Sequence, residues 1–393
     1  MIIIEKPELQ KDGKEVLLST RFQVEGEHNI LWYRFSSKFE DYLVTESLDA
    51  SLVGLLFLGL KTGNDIKLNG PVSARLLYTI NHYLIKALCL ANNEFKEIKI
   101  IADSLNHEDM NLGSTAGTGF SCGVDSFATY FSHSGEHSPF DIKYLTFFNV
   151  GSHGDFGGEK ARKVYQKRLR SVNTFAEKAG KKVISIDSNL SEILKLNFQK
   201  TNTYRSASCI LNLQKLFKNY YYASSFPLDQ FNLNSVDTSY YDLLNLSMLS
   251  TESINFFSSD IYWTRIDKTS FISQFPETYD FLDVCTNLRD EFNSKNCSTC
   301  DKCMRTALTL ELLGKLHLYK NVFDLDIYQN NKNRYIGKVL GTKKENIFNK
   351  DLLRLLLKKR KISLIHYGYY SSYKYKKLKK RIRKVIKKNP NKD

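Results

Sequence analysis

At 393 residues the chain exceeds one ordinary domain and predicts two or three. A hydrophobic fraction of 42% sustains real cores and excludes an intrinsically disordered chain. The net charge of +15 is local: residues 351–393 carry 16 Lys/Arg and 2 Asp/Glu, against 41 and 40 in the other 350 residues. A near-neutral body argues against a catalytic face built to hold tRNA, whose positive charge would spread over the working surface. The opening Met1-Ile2-Ile3-Ile4-Glu5-Lys6 lacks the charged-then-apolar pattern of a signal peptide. The longest apolar run, Ala50 to Leu60, is broken by Ser51 and Gly54 and is too short to span a bilayer. A cytoplasmic chain is the expectation.

Residues 1–108 read as a separate α+β module. Glu15 to Val24 and Asn29 to Phe35 have strand composition, Leu48 to Leu60 reads as a buried helix, and a second helix is expected to begin at Pro71. Glu97 to Ala102 is a further strand. Cys89 has no partner nearby and reads as a core thiol.

From about residue 109 strands and helices alternate. Lys143 to Val150 is a continuous apolar strand, followed by the loop Gly151-Ser152-His153-Gly154-Asp155, a helix from Glu159 to Ala179 ended by Gly180, and a strand over Lys182 to Asp187. This alternation predicts a doubly wound, mostly parallel α/β sheet with ligands at the carboxyl ends of its strands. The stretch Gly113 to Phe120 is poor in large apolar residues, so the first strand is either short or begins in 97–104. Tyr204 to Tyr222 reads as helical.

Phe120-Ser121-Cys122-Gly123-Val124-Asp125-Ser126 stands at the head of this region. A turn of small residues entering a helix lets backbone N–H groups, a helix dipole and serine hydroxyls converge on an anion such as phosphate or pyrophosphate. A serine-rich helix cap is the alternative reading. Further on, Cys297, Cys300 and Cys303 follow a Cys-x2-Cys-x2-Cys spacing. Cys285 upstream can complete four sulfurs around one structural ion, zinc rather than an iron–sulfur cluster. Seven cysteines without a secretion signal oppose a disulfide framework.

The loop resembles the PP-loop, Ser-Gly-Gly-x-Asp-Ser, of the N-type ATP pyrophosphatases, with Cys122 in place of one glycine. Together with the downstream cysteines it resembles the 7-cyano-7-deazaguanine synthase (QueC-like) family over roughly residues 115 to 315. The resemblance implies a HUP-like, adenine nucleotide alpha hydrolase-like fold over 109–318, with 319–393 as an extension bearing the basic helical tail. It implies ATP and Mg²⁺ at Ser121, Cys122, Gly123, Val124, Asp125 and Ser126, and structural Zn²⁺ on Cys285, Cys297, Cys300 and Cys303. Adenylation of a carboxylate, such as one of 7-deazaguanine type, would release pyrophosphate before ammonia or an amine displaces AMP. Asp125 and, by weaker matches, Arg205 and Lys268 (in Thr264-Arg265-Ile266-Asp267-Lys268) take catalytic places, a cation suiting pyrophosphate departure. The 151–154 loop departs from the family's tyrosine-containing sequence, and the amino-terminal module and tail have no counterpart in the minimal enzyme. His153 is either a proton acceptor or a solvent-exposed loop residue. Two other classes stay open: sulfur transfer to a tRNA base through Cys122 or Cys209, and a non-catalytic nucleotide-binding scaffold in a multi-protein system. The tail from Tyr367 to Lys388 reads first as a solvated charged helix; peripheral contact with an anionic membrane or with nucleic acid is the sharper reading.

Overall fold

The computed structural model describes residues 1–287, 295–343 and 345–388. Residues 1–121 and 125–262 form one compact unit; residues 122–124 and the chain from Trp263 onward form a second. The boundary expected near residue 318 therefore falls at 262–263.

The first unit is built on one sheet. Its amino-terminal part contributes β1 (Ile2–Ile4), β2 (Glu8–Asp12), β3 (Glu15–Val24), β4 (Glu27–Ser36), helix α1 (Asp49–Thr62) and β5 (Ile66–Ser73). Helices α2 (Ala74–Thr79) and α3 (Ile85–Ala91) follow, with a π-helical turn between them, and then β6 (Ile100–Asn106). α1 is apolar nearly all round and is correspondingly buried. Burial of each of Leu52, Leu55 and Leu56 stabilises by about 1.5–3 kcal/mol. Pro71 does not open a helix as expected. It lies in β5, where the pairing with β6 shifts register between Leu68 and Pro71, a place that tolerates a missing N–H. The helix starts after Ser73, whose Oγ accepts from the Leu76 N–H at 3.0 Å.

The alternating region supplies β7 (Thr115–Gly119), α4 (Val124–His133), β8 (Ile142–Asn149), α5 (Glu159–Lys178) and β9 (Lys182–Ser188). It continues with α6 (Leu190–Leu194), α7 (Asn202–Leu211), β10 (Phe217–Ala223), α8 (Asp242–Leu249) and β11 (Asn255–Ser259). Tyr204 to Tyr222 is thus not one helix. A turn follows Leu211, and the run Tyr220-Tyr221-Tyr222 enters a strand, where bulky aromatics fill both faces.

The strand order is β11-β10-β7-β8-β9-β4-β3-β1-β5-β6, with β2 hydrogen-bonded to β3. β11, β10, β7, β8 and β9 are mutually parallel, and β4 joins β9 antiparallel at Tyr33–Ser188 and Arg34–Asp187. Residues 1–108, expected as a module apart, therefore extend the same sheet. β7 lies between β8 and β10, where the strand order reverses, which is the switch point at which α/β sheets take ligands. The short, small-residue strand is β7 itself, and 100–106 lies at the far edge. Its composition follows from its neighbour: a side chain at Gly117 would collide with the Phe217 ring of β10.

The second unit is helical where described: α9 (Arg265–Ile272), α10 (Asp301–Leu312), α11 (Leu325–Thr342), α12 (Ile347–Lys358) and α13 (Leu364–Lys388). Side-chain caps from Asp324 and Asn346 start α11 and α12. No helix among the described residues is long and apolar enough to cross a membrane.

Candidate functional site

At the carboxyl ends of β7, β8 and β10 lies a cavity of about 220 Å³. Its rim includes Ser121, Asp125 and Ser126 of the loop, facing Phe148, Ser206 and Tyr222. The volume is below the roughly 300–1,000 Å³ of pockets that enclose a whole small ligand. The Ser121 N–H donates to Ser126 Oγ at 3.3 Å, which folds the loop back over the first turn of α4. Asp125 lies in that first turn, where the helix dipole favours negative charge.

Cys122 adopts a left-handed conformation, φ 59°, that a glycine takes without steric cost. Its side chain is buried, and within the second unit the Cys122 carbonyl accepts from the Asp283 N–H at 2.8 Å. Burial, reinforced by the Asp283 charge, pushes the thiol up to about 12. Cys209 is also fully buried and its thiol is raised well above the ordinary range by the same cause. Neither is a thiolate near neutral pH.

Arg205, expected beside a substrate, is engaged with the chain itself. Nε donates to Thr201 Oγ1 at 2.7 Å, Nη1 to the carbonyls of Val150 and Asp155 and to Ser191 Oγ, and Nη2 to the Leu196 carbonyl at 2.8 Å. Its burial lowers the guanidinium pKa to about 10. It is a clamp on the 150–155 loop. His153 is not in solvent: it is buried against Phe147 and Tyr165, and burial drives the imidazole pKa down to about 3. Asp187, at the same sheet edge, accepts from Asn149 Nδ2 at 2.7 Å and pairs with Arg162. Lys268 belongs to the second unit, in α9 behind a Thr264–Asp267 capping box, and its side chain is buried.

Sequence reading missed a polar network behind Tyr222. Thr203 and Ser206 lie beside the Tyr222 hydroxyl, and Thr203 Oγ1 donates to Asp242 Oδ1 at 2.5 Å. Asp242 Oδ2 is buried with no hydrogen-bond partner among the described residues. Burial pushes this carboxyl up to about 8, against the pull of the Thr203 hydrogen bond. The folded-state value lies above the unfolded one, so the protonated form favours folding. That contribution is whole below about pH 4 and is lost as pH rises toward 8. Urea unfolding should show the parent losing stability between pH 5 and pH 8, and Asp242→Asn losing less. Equal losses would mean that the carboxyl does not titrate this way.

In the second unit the sulfurs of Cys285, Cys297, Cys300 and Cys303 all lie within 4.8 Å of one another. Cys300 Sγ is 3.3 Å and Cys297 Sγ 3.8 Å from Cys303 Sγ. Four thiolates about 2.3 Å from one tetrahedral ion stand about 3.8 Å apart, so this arrangement can hold a single metal ion. The donors are all sulfur and leave no open position. Ser298, at φ 53°, turns the chain between Cys297 and Cys300. Cys300 ends that turn as the N-cap residue of α10, which places Cys303 one turn into the helix.

Asn296 fastens the site and carries no metal-site signature of its own in sequence. It is fully buried; its Oδ1 accepts from the Val284 N–H at 2.8 Å, and its Nδ2 donates to the Leu282 and Val322 carbonyls. This ties the Cys285 segment to the Cys297 turn. Asn296→Ala should weaken metal affinity by about 10–100-fold in a chelator competition, and an unchanged affinity would remove Asn296 from this role.

No family model, curated protein or solved structure matches this chain.

Proposed function

We propose that this chain is an AMP-forming ATP pyrophosphatase of the PP-loop, HUP-like class, similar to the 7-cyano-7-deazaguanine synthases. In this reading it joins an activated carboxylate to ammonia or an amine. The observation that carries the proposal is the place of the Phe120–Ser126 loop. It follows β7, the middle strand of the five parallel ones and the switch point of the sheet, with Ser121, Asp125 and Ser126 on the rim of a cavity.

A substrate carboxylate oxygen attacks the α-phosphorus of ATP, the bond to the bridging oxygen breaks, and pyrophosphate leaves. The backbone N–H groups and serine hydroxyls of the loop hold the departing charge. Asp125, in the first turn of α4 at the cavity rim, would hold the Mg²⁺ that accompanies ATP, and that ion would supply further positive charge to the leaving group. An amine then attacks the acyl carbon and AMP departs. Phe148, Ser206 and Tyr222 among the lining residues give the cavity a largely apolar wall with few polar groups, the usual make-up of a small-ligand site. Arg205 has no direct part in this scheme, and Lys268 remains a candidate cation by resemblance alone. The four cysteines hold structural Zn²⁺, since iron–sulfur clusters spread four thiolates over several irons instead of one ion.

Sulfur transfer fits less well, because both candidate thiols are buried and neutral. The test is incubation with ATP·Mg²⁺ and a panel of carboxylates, 7-deazaguanine acids among them, with nucleotide products resolved. AMP and pyrophosphate are expected. ADP as product would refute the reading, and no turnover with any acceptor would favour a nucleotide-binding scaffold.

A further inference from the structure

The second unit contains another concave surface, about 540 Å³ in volume, formed where α13 packs on α11 beside the cysteine turn. Its origin is legible in two glycines. A Cβ at Gly337 would fall 2.5 Å from Tyr369 Cβ, and one at Gly341 would fall 2.7 Å from the Tyr373 ring. Only glycine lets the two helices come this close. The close approach sets Tyr369 and Tyr373 along one wall. Arg334 and Lys376 line the same groove, are exposed, and make no ion pair among the described residues. Lys338, also in the lining, is by contrast held by Asp301 at 2.5 Å.

Two unpaired cations beside tyrosine rings, in a groove too large for a single ion, match a polyanion that also carries flat aromatic groups. The excess positive charge of the whole chain is concentrated in residues 351–393, of which α13 is the greater part. We propose that this groove binds single-stranded nucleic acid, with phosphates at Arg334 and Lys376 and bases against Tyr369 and Tyr373. Unpaired bases present faces for stacking, whereas a duplex keeps them stacked inside. A lipid surface would instead take a convex apolar face. The exposed Leu378 and Ile382, 56% and 49% accessible and further along α13, are the residues such a surface would use.

The test uses the full chain and fluorescein-labelled oligo(dT), followed by anisotropy at low and moderate salt. Arg334→Glu with Lys376→Glu should weaken binding about tenfold or more and reduce the salt slope by about 1.4, for two lost phosphate contacts at about 0.7 each. Both positions are exposed, so the fold survives the change. Lys379→Glu with Lys380→Glu reverses as many charges on α13 outside the lining, and should weaken binding less than about threefold. No binding of oligo(dT), equal loss with both double variants, or equal affinity for a duplex would overturn the proposal. Binding only to vesicles containing phosphatidylserine, lost on Leu378→Ser with Ile382→Ser, would transfer the tail to the membrane instead.

Discussion

Cys303→Ser should yield protein that carries almost no metal where the parent carries about one zinc ion per chain. Cys303 is fully buried and lies close to the sulfurs of both Cys297 and Cys300, so its substitution removes one of the four sulfur donors. Loss of a structural ion also removes the free energy by which binding favours the folded state. For the second unit this should amount to about 3–5 kcal/mol, or a fall in melting temperature of about 10–20 °C. Elemental analysis and calorimetry of the two proteins decide it. Cys89→Ser, far from this cluster in sequence, should keep its zinc. A parent that is brown would replace one zinc ion by an iron–sulfur cluster, and a variant that keeps its metal would show that the four sulfurs are not the site.

Asp125→Ala should lower AMP formation by about 10²–10³-fold while leaving the melting temperature nearly unchanged. Its carboxylate lies at the cavity rim in the first turn of α4, so its loss removes charge where the nucleotide's Mg²⁺ is proposed to sit. Ser126→Ala removes one hydroxyl and the Ser121 contact, and should cost less. Cys122→Gly is the informative companion. Its left-handed backbone suits glycine, and its side chain is buried, so turnover should be preserved or increased. Stopped-time assays of AMP and pyrophosphate measure all three. Wild-type activity in Asp125→Ala would remove the carboxylate from the chemistry. A collapse of activity in Cys122→Gly at unchanged stability would show the thiol to be a participant.

The sequence by itself determined the features whose causes are local. Length and composition placed α1, α5 and the apolar strand β8, because a buried helix or parallel strand is apolar in consecutive residues and a surface helix such as α5 is apolar along one face. Cys-x2-Cys-x2-Cys announced a metal knuckle, because three sulfurs spaced three residues apart can turn about one ion. The small residues of Phe120–Ser126 announced a tight turn into a helix.

Tertiary structure decided what depends on partners distant in the chain. β7 has the composition of a loop, and it is a strand because the aromatic side chains of β10 cover the place its own would fill. Residues 1–108 join the sheet through only two residue pairs, Tyr33–Ser188 and Arg34–Asp187, and no local pattern encodes such a join. Arg205 and His153 looked chemical because arginine and histidine are versatile. Five hydrogen bonds within the fold occupy the first, and an aromatic pocket neutralises the second. Asn296 and Asp242 carried no signal, since their roles lie in the segments they join. Cys122 began as the one irregular letter in a loop. The fold turned its side chain into a core and left the loop's cavity rim to Ser121, Asp125 and Ser126.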